Sequence, residues 1–422
     1  MQRKFIRPTR SDEESLLDSD DAFASQYIAA PTGRQSTITI ITHSLCAIIG
    51  FWLAKIQFSS HVPTSSSIMI ADTHLPIAKI TPCSHLPLGE ITPCSKFSEV
   101  RDLTKLRSPR LQSINFPGQP EQSVMFLDGR KSELKQHSLY AFENYARVNS
   151  LESAVTNLFI SILSTSDPAN GLVIDGGMNS AFYTMLTTSM NFTTYAFDLQ
   201  LDCFDVANFL LAELDEPVKS LAHLYNFGLS DKFAVLRASK NSVCDPSFSI
   251  SKLELINNNI PPDLTYDVSL MSIDGFLANQ NIIEDDIILV KLDIEGAEVP
   301  ALHGMQSAIS AGRVKNIILE FSPSISLRMG VDWDTAKSTF EMLQRTFTPY
   351  LLFNWKLERN EAVYLAQHGL LTTRRVDAEY NDDVNFQDLF EIVDWELMVV
   401  HVCGIGCNIY FKQREEKKMT LL

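Results

Sequence analysis

Cysteine is scarce in this sequence, and basic residues are outnumbered by acidic ones. The seven cysteines are scattered over 422 residues with no Cys-x-x-Cys pair, which argues against a disulfide scaffold and against a structural zinc site. Lys and Arg total 35 while Asp and Glu total 51, a formal net charge of −16. Because nucleic-acid binding depends on basic side chains that displace phosphate counterions, this balance argues against a nucleic-acid partner.

The composition is that of a folded protein, with one strongly apolar segment near its start. Hydrophobic residues make up 45% and charged residues 20% of the chain, which is typical of a globular protein. Residues 1–36 carry mixed charge and little apolar periodicity, so we expect a disordered cytosolic tail there. A helix over the apolar residues 37–58 would span roughly 33 Å at about 1.5 Å per residue, enough for a bilayer core.

We interpret the apolar segment 37–58 as a transmembrane signal anchor. The alternatives are a cleaved signal peptide, for which a 36-residue leader is long, and a buried helix. Five Lys or Arg residues precede the segment, and Lys55 near its end is the only basic residue from there to position 78. The positive-inside rule therefore places the N-terminus in the cytosol. We expect a single-pass type II membrane protein of the endomembrane system, Golgi-like, whose main domain is lumenal.

A segment rich in Ser, Thr and Pro follows, and it is typical of a stem between a membrane and a domain. Within it, Cys83 and Cys94 belong to a near-repeat and could form a disulfide in an oxidising lumen. The expected divisions are a stem at 59–120 and a folded domain at 121–422, with a motif-bearing core at 151–323 and a divergent C-terminal part at 324–422.

Short apolar runs alternate with helical stretches through the predicted domain. Five of these runs are 171–175, 193–198, 223–229, 287–293 and 316–321. Near-continuous apolar strands separated by helices indicate a parallel sheet covered on both faces. Two further runs, 349–353 and 408–411, are expected to complete the sheet at its far edge. The predicted fold class is therefore α/β, a Rossmann-like sheet with helices on both faces.

Acids and glycines at the ends of the first two predicted strands indicate a nucleoside cofactor. Asp175 is followed by two glycines, which allow close approach of the backbone to a ligand. Asp198 ends the second strand, where an acid can accept both ribose hydroxyls. The full glycine fingerprint of a dinucleotide site is missing, since Ala181 stands where a further glycine would be. S-adenosylmethionine, with no phosphate, a sulfonium and an amino group, fits this acid-rich loop better. Asp175 could equally cap its own turn.

A second acidic motif follows the fourth predicted strand. Residues 291–298 read KLDIEGAE and place Asp293, Glu295 and Glu298 within six residues. Such a cluster is costly unless its carboxylates are solvated, paired or bound to a metal. One of them could act as general base toward an accepting hydroxyl, so all three are candidate catalytic residues. They could also hold a divalent cation. The alternative is a strand-to-helix turn with Glu295 and Glu298 in the first helical turn.

His401, Cys403 and Cys407 form a third group near the C-terminus. Three such residues lack the fourth ligand of a zinc site. We interpret the group as a strand end and a turn, in which Cys403 and Cys407 could form a disulfide. No residue is assigned to a metal.

The motifs resemble, in order, those of FkbM-type methyltransferases. The matching segments are 173–179 (VIDGGMN), 195–198 (YAFD), 228–231 (GLSD), 272–274 (SID) and 291–298, followed by Leu302, Gly304, Glu320 and Phe321. The resemblance covers roughly residues 150–325. It implies a class I methyltransferase fold, S-adenosylmethionine as cofactor and O-methylation of a hydroxyl.

The same resemblance implies a set of cofactor-binding residues. They are Asp175, Gly177 and Asn179 for the methionine part, Asp198 for the ribose, and Ser230 and Asp231 near the adenine. The chain departs from the family at its second motif, which reads Phe-Asp-Leu where Phe-Glu-Pro is usual, and at Ala181. The shorter acid can still reach a ribose.

The sequence thus predicts S-adenosylmethionine-dependent methyl transfer, to a hydroxyl of a glycan or of a small molecule. The altered second motif and the divergent C-terminal part motivate an alternative, a catalytically silent methyltransferase fold that acts as a scaffold or binding protein. A nicotinamide-dependent oxidoreductase is a third hypothesis. A lumenal domain would need its cofactor to be transported from the cytosol.

Overall fold

The computed structural model describes residues 109–115, 118–127, 152–239, 244, 265–352, 371–373, 390–395 and 406–414. The chain divides into two units, Met1–Ala71 and Asp72–Leu422, and all described residues belong to the second. The predicted tail, the predicted signal anchor and the pair Cys83 and Cys94 lie outside the described residues. In the part of the chain that is described, no helix combines the length and the apolar character needed to cross a bilayer.

The described residues form fourteen strands and nine α-helices. The strands are β1 (Pro109–Ile114), β2 (Gln122–Leu127), β3 (Gly171–Gly176), β4 (Thr193–Phe197), β5 (Ala222–Tyr225), β6 (Phe227–Leu229), β7 (Ala234–Ser239), β8 (Thr265–Met271), β9 (Asp286–Leu292), β10 (Asn316–Phe321), β11 (Phe347–Leu352), β12 (Leu371–Thr373), β13 (Phe390–Ile392) and β14 (Cys407–Gln413). The helices are α1 (Ser153–Ser164), α2 (Phe182–Ser189), α3 (Leu201–Ala212), α4 (Glu216–Lys219), α5 (Ile273–Asn279), α6 (Glu298–His303), α7 (Gln306–Ser310), α8 (Pro323–Arg328) and α9 (Trp333–Leu343).

Nine of these strands form one sheet, in the order β12-β13-β11-β14-β10-β9-β3-β4-β5. The strands β5-β4-β3-β9-β10 pair in parallel. If these five strands are numbered in chain order, they follow one another across the sheet as 3-2-1-4-5. This is the order of a doubly wound Rossmann sheet. The predicted α/β class is confirmed, and the sheet is consistent with a Rossmann-like methyltransferase fold.

The sheet is mixed, whereas the apolar runs predicted a parallel one. β14 lies between β10 and β11 and pairs antiparallel with both strands, and β13 and β12 extend the sheet beyond β11. The two runs expected at the far edge, 349–353 and 408–411, therefore belong to β11 and β14, which do not form the edge. An apolar run indicates burial on both faces but not direction, so the reversal of β14 could not be predicted from it.

The run 223–229, predicted as one strand, forms two strands in different sheets. β5 ends the parallel part of the central sheet, while β6 pairs with β8 in a three-stranded sheet of order β6-β8-β7. Asn226 lies between the two strands, and its side-chain amide donates to the carbonyls of Asp198 and Leu199 at 2.9 and 3.0 Å. At the break in the apolar run, Asn226 is therefore hydrogen-bonded to the loop that follows β4.

Helices cover both faces of the central sheet. Alternate residues of β10 enter different hydrophobic cores, as the period of two of a strand requires. Ile317 and Leu319 pack in the core that contains Phe340 of α9, whereas Ile318 packs in the core that contains Phe159 of α1. All five side chains are buried. The loops at the strand ends are therefore held by a packed layer on each side of the sheet.

A hairpin of β1 and β2 packs against the second of these cores. The two strands pair antiparallel, and Ile114, Val124 and Phe126 are buried in the core that also contains Phe159. Residues 109–114 fall within the range 59–120 that was assigned to the stem. In the structure this strand packs against the folded domain, because the side chain of Ile114 is buried in the second core.

Two of the described cysteines, Cys203 and Cys244, form a disulfide, and both are buried. Nothing in the local sequence pairs them, since 41 residues separate them. Cys407 is also disulfide-bonded. Its expected partner, Cys403, lies outside the described residues.

Candidate active site

The ends of β3, β4 and β9 are joined by backbone hydrogen bonds. The N–H groups of Gly177 and Met178 both donate to the carbonyl of Phe197, at 2.9 and 3.0 Å, and the N–H of Asp293 donates to the carbonyl of Gly176 at 3.0 Å. Gly177 has a φ of +79°, and a Cβ on it would lie 1.8 Å from the Asp293 carbonyl oxygen. Only glycine fits there, because any side chain would force the two loops apart.

A cleft opens at these strand ends. The residues that line it are Gly177, Asn179, Phe197, Asp198, Leu199, Gln200, Phe227, Gly228, Leu229, Asp293, Ile294, Glu295 and Ala297. The lining combines an apolar wall with carboxylates at two places, which is the arrangement expected for a ligand with a flat apolar part and polar groups.

Asp198 lies in the cleft, buried, with both carboxylate oxygens oriented by the backbone. Oδ2 accepts from the N–H of Asn179 at 2.9 Å, and Oδ1 accepts from the N–H of Gln200 at 2.8 Å. Burial raises the pKa of Asp198 to about 6, and the two backbone hydrogen bonds partly offset this effect. Because each carboxylate oxygen can accept a second hydrogen bond, Asp198 can still bind two ribose hydroxyls.

Asp175 lies at the end of β3 behind the cleft and has an unused acceptor. Its Oδ2 accepts from the hydroxyl of Thr184 at 2.6 Å, but its buried Oδ1 has no hydrogen-bond partner among the described residues. Burial raises the pKa of this carboxyl, and Lys291 and Thr184 act in the opposite direction. A buried acceptor without a donor is unfavourable, and an ammonium group would satisfy it. Its chemistry therefore fits the amino group of S-adenosylmethionine, although Asp175 is not among the residues that line the cleft.

The loop between β3 and α2 contains two non-glycine residues in the left-handed region. Asn179 has a φ of 47° and Ala181 a φ of 63°. Asn179 lines the cleft, while Ala181 is fully buried. Ala181 therefore places a buried side chain where the backbone favours glycine.

The acidic block 291–298 begins with an ion pair between a buried lysine and a partly exposed aspartate. Lys291 Nζ lies 3.0 Å from Asp293 Oδ2 and 5.1 Å from the centroid of the Tyr183 ring. Burial acts to lower the pKa of Lys291, but Asp293, Asp175 and Glu152 together raise it above its usual value. The lysine is therefore charged, and it partly neutralises the carboxylates that surround it.

Asp293 and Glu295 line the cleft, but Glu298 does not. The Glu298 carboxylate accepts from the N–H of Ile294 at 3.1 Å and from the N–H of Gly296 at 3.1 and 3.0 Å. Burial raises its pKa to about 7, and these backbone hydrogen bonds act to lower it. Of the three carboxylates expected at the mouth of the pocket, Glu298 is thus turned toward the backbone of its own loop at the start of α6.

Two carboxylates near Asp293 were not among the predicted site residues. Glu152 directly precedes α1 and accepts from the hydroxyl of Tyr183 at 3.1 Å. Burial and Asp293 raise the pKa of Glu152 to about 7. Glu320 lies near the end of β10, and Asp293, burial and Glu152 raise its pKa well above its usual value. An acid at the end of the next parallel strand was the available signal for Glu320.

Ser230 and Asp231 follow β6 and do not line the cleft, whose wall on this side ends at Leu229. The N–H of Ser230 donates to the Met271 carbonyl at 2.9 Å, and its hydroxyl donates to Asp231 Oδ1 at 3.2 Å. A Cβ on Gly304 would lie 2.0 Å from the Ser230 carbonyl oxygen. The motif glycine at 304 therefore serves packing against this loop.

A divalent cation was a second interpretation of the acidic residues. No group of three or more His, Cys, Asp or Glu side chains suited to hold a metal ion is found in the described part of the chain. His401 and Cys403 lie outside that part.

A family model described as the methyltransferase FkbM domain matches residues 208–345. The resemblance drawn from the motifs is confirmed by this match, which includes the acidic block and Glu320. No curated protein matches the chain. A solved structure, the precorrin-6y C5,15-methyltransferase from Geobacter metallireducens GS-15, is 13% identical, with 63% of this chain and 91% of that chain covered and a TM-score of 0.24.

Proposed function

We propose that the described domain is an S-adenosylmethionine-dependent O-methyltransferase that acts on a hydroxyl of a glycan or of a small molecule. The observation that carries this proposal is the unsatisfied buried oxygen of Asp175 next to a cleft that holds Asp198. The FkbM match at residues 208–345 supports methyl transfer in general.

The cofactor, when bound, supplies an activated methyl group on a sulfonium. Asp198 would hold the ribose through the free lone pairs of its two oxygens. Asp175 would receive the ammonium of the methionine part, because its Oδ1 has no other donor. Phe197 and Phe227, whose ring centroids lie 4.9 Å apart, and Leu229 would form the apolar wall beside the base. Gly177 lets the loop after β3 lie against the loop after β9, because a side chain there would clash with the Asp293 carbonyl.

The acceptor would bind at the other end of the cleft, where Asp293 and Glu295 lie. A hydroxyl becomes a better nucleophile when its proton is transferred to a nearby base as its oxygen receives the methyl group. Asp293 and Glu295 are placed to take that proton, because both line the cleft. Lys291 pairs with Asp293 at 3.0 Å and keeps that carboxylate oriented. We therefore propose Asp293 and Glu295 as the groups that face the acceptor.

The proposal is tested by calorimetry with S-adenosylhomocysteine on the full-length chain in detergent. Asp198→Asn keeps the shape of the side chain but places an amide N–H₂ against a backbone donor and loses two ribose contacts. We expect affinity to fall by roughly 100-fold, since two hydrogen bonds to a charged group contribute about 3 kcal/mol. Asp334→Asn, an exposed substitution in the first turn of α9, should leave affinity unchanged. Tight binding of a nicotinamide dinucleotide instead would favour the oxidoreductase hypothesis.

A catalytically silent domain is the second candidate, and two features favour it. Both oxygens of Asp198 already accept backbone hydrogen bonds, and Ala181 adds a side chain to the cofactor loop. A silent domain would unfold cooperatively yet bind no S-adenosylhomocysteine at millimolar concentration. The same titration therefore separates the two candidates.

We also propose that the domain lies in the lumen of the endomembrane system, anchored as a type II protein by residues 37–58. The Cys203–Cys244 disulfide and the disulfide-bonded Cys407 support an oxidising compartment. The test is protease protection on microsomes: the domain should resist protease until detergent is added. Digestion in intact microsomes would overturn the orientation without affecting the proposed chemistry.

A further inference from the structure

The Cys203–Cys244 disulfide lies directly behind the loops that form the cofactor cleft. Cys203 is in the first turn of α3, three residues after Gln200. Cys244 Sγ lies 3.2 Å from Oδ1 of Asn179, a residue that lines the cleft. Both cysteines are buried. The disulfide therefore contacts Asn179 directly, and it lies three residues along the chain from Gln200, which also lines the cleft.

These two neighbours are the residues that orient Asp198. The N–H of Asn179 donates to one carboxylate oxygen of Asp198, and the N–H of Gln200 donates to the other. Asn179 has a φ of 47°, in the left-handed region, where asparagine is several-fold enriched among non-glycine residues. The disulfide packs against Asn179 on one side and fixes the helix that begins after Gln200 on the other.

We infer that the Cys203–Cys244 disulfide is a positioning element for cofactor binding. It holds Asn179 and the start of α3 in the arrangement that presents the Asp198 carboxylate to the ribose. This inference rests on the proposed function, because it concerns the affinity of the same cleft. Loss of the bond leaves Asn179 and Gln200 free to move apart, so that Asp198 loses one of its two fixed donors.

The experiment compares S-adenosylhomocysteine affinity of the full-length chain in detergent, at a temperature where every sample is folded by circular dichroism. Dithiothreitol reduces the bond to two thiols and is itself oxidised to a cyclic disulfide. We expect the dissociation constant to rise at least tenfold on reduction and to recover after re-oxidation with oxidised glutathione. The double variant Cys203→Ser/Cys244→Ser should start at the weaker affinity and no longer respond to dithiothreitol.

Cys407→Ser is the matched control, since it removes a disulfide at another of the described residues; its affinity should stay within twofold of the original. Coupling to Asn179 distinguishes positioning from general stabilisation. Asn179→Gly, which is unstrained at a φ of 47°, should weaken binding several-fold in the oxidised protein and much less in the double serine variant. Equal affinity in the oxidised and reduced states, or additive effects of the two changes, would overturn the inference while leaving the proposed function intact. Absence of binding in both states would overturn both.

Discussion

Ala181 shows how a single side chain in the cofactor loop can be costly and yet tolerated. Its backbone is in the left-handed region, with a φ of 63°, and its methyl group is fully buried. The left-handed conformation costs a non-glycine residue roughly 1–2 kcal/mol, whereas burial of a methyl group contributes about 0.8 kcal/mol. The remaining cost of roughly 0.2–1.2 kcal/mol is offset because alanine leaves the unfolded chain with less conformational freedom than glycine, which stabilises the fold by about 0.4–1 kcal/mol.

We therefore predict that Ala181→Gly changes the free energy of unfolding by less than about 0.5 kcal/mol, because relief of backbone strain offsets the lost methyl group and the greater freedom of glycine in the unfolded chain. The control is Ala207→Gly, in the middle of α3 and equally buried. There, helix propensity and lost burial act together, so a loss of about 1.5–2 kcal/mol is expected. Urea denaturation of the full-length protein measures both values. Equal losses at the two positions would show that Ala181 is not strained.

The site residues that could be predicted from the sequence are those that occur in compact motifs. Asp175, Asp198 and Asp293 directly follow or end apolar strands, and the topology brings such positions to one edge of the sheet. Glu152 comes from a distant part of the chain, and no local pattern connects it with Asp293, whereas Glu320 lies near the end of the next parallel strand and belongs to the matching motifs. Their proximity arises from the packing of α1 and of β10 beside β9.

The turn between β9 and α6 is an element built around one carboxylate. Glu295 and Gly296 both have positive φ values, 53° and 103°, and Glu298 accepts hydrogen bonds from the backbone on either side of Glu295. The sequence alone left open whether Glu298 acts on a substrate or belongs to the first helical turn. Its placement favours the second interpretation, because its acceptors are occupied by this turn.

We predict that Glu298→Gln lowers the free energy of unfolding by about 1–3 kcal/mol, because the amide N–H₂ cannot accept from the buried N–H of Gly296. Glu284→Gln, on an exposed residue, should change it by less than about 0.5 kcal/mol. Chemical denaturation at neutral pH measures both. An unchanged stability in Glu298→Gln would instead point to a carboxylate that is free to meet a substrate.

Among the strands, the buried parallel ones were predictable and the peripheral ones were not. The runs 171–175, 193–198, 287–293 and 316–321 each lie almost entirely in one strand, because burial on both faces demands continuous apolar sequence. β7 and β8 belong to a small sheet with exposed side chains such as Val235, so their pattern is less apolar. The split of run 223–229 depends on one amide, Asn226, whose partners are far away in the chain.

At the level of the whole molecule, several carboxyl groups are buried, and the effect of burial on their pKa values exceeds that of the positive charges and hydrogen bonds around them. Burial raises the pKa of Asp198 to about 6 and that of Glu298 to about 7, and it also raises the pKa of Asp175. Each of these groups binds a proton more tightly in the folded than in the unfolded chain. Between about pH 4 and pH 7, the folded state therefore holds more protons, and stability falls as pH rises.

We predict that the ligand-free full-length protein is more stable at pH 5 than at pH 7.5, by at least about 2 kcal/mol, since the raised pKa values of Asp198 and Glu298 each contribute on this order. Urea denaturation at the two pH values measures the difference. Asp198→Asn and Glu298→Gln should each reduce it, because they remove one titrating group. A stability that rises from pH 5 to pH 7.5 would contradict the assignment of these carboxyl groups as buried and weakly compensated.

The contact between Gly177 and the Asp293 carbonyl has a consequence for how such a protein can diverge. The loop that would hold the methyl donor and the loop that would face the acceptor touch through their main chains, and Gly177 leaves no room for adjustment. The spacing of donor and acceptor is then set by the backbone, so side chains around Glu295 can be exchanged during evolution without altering it. Substitutions around Glu295 would then change which acceptor fits, while the distance between the proposed methyl donor and the acceptor stays the same.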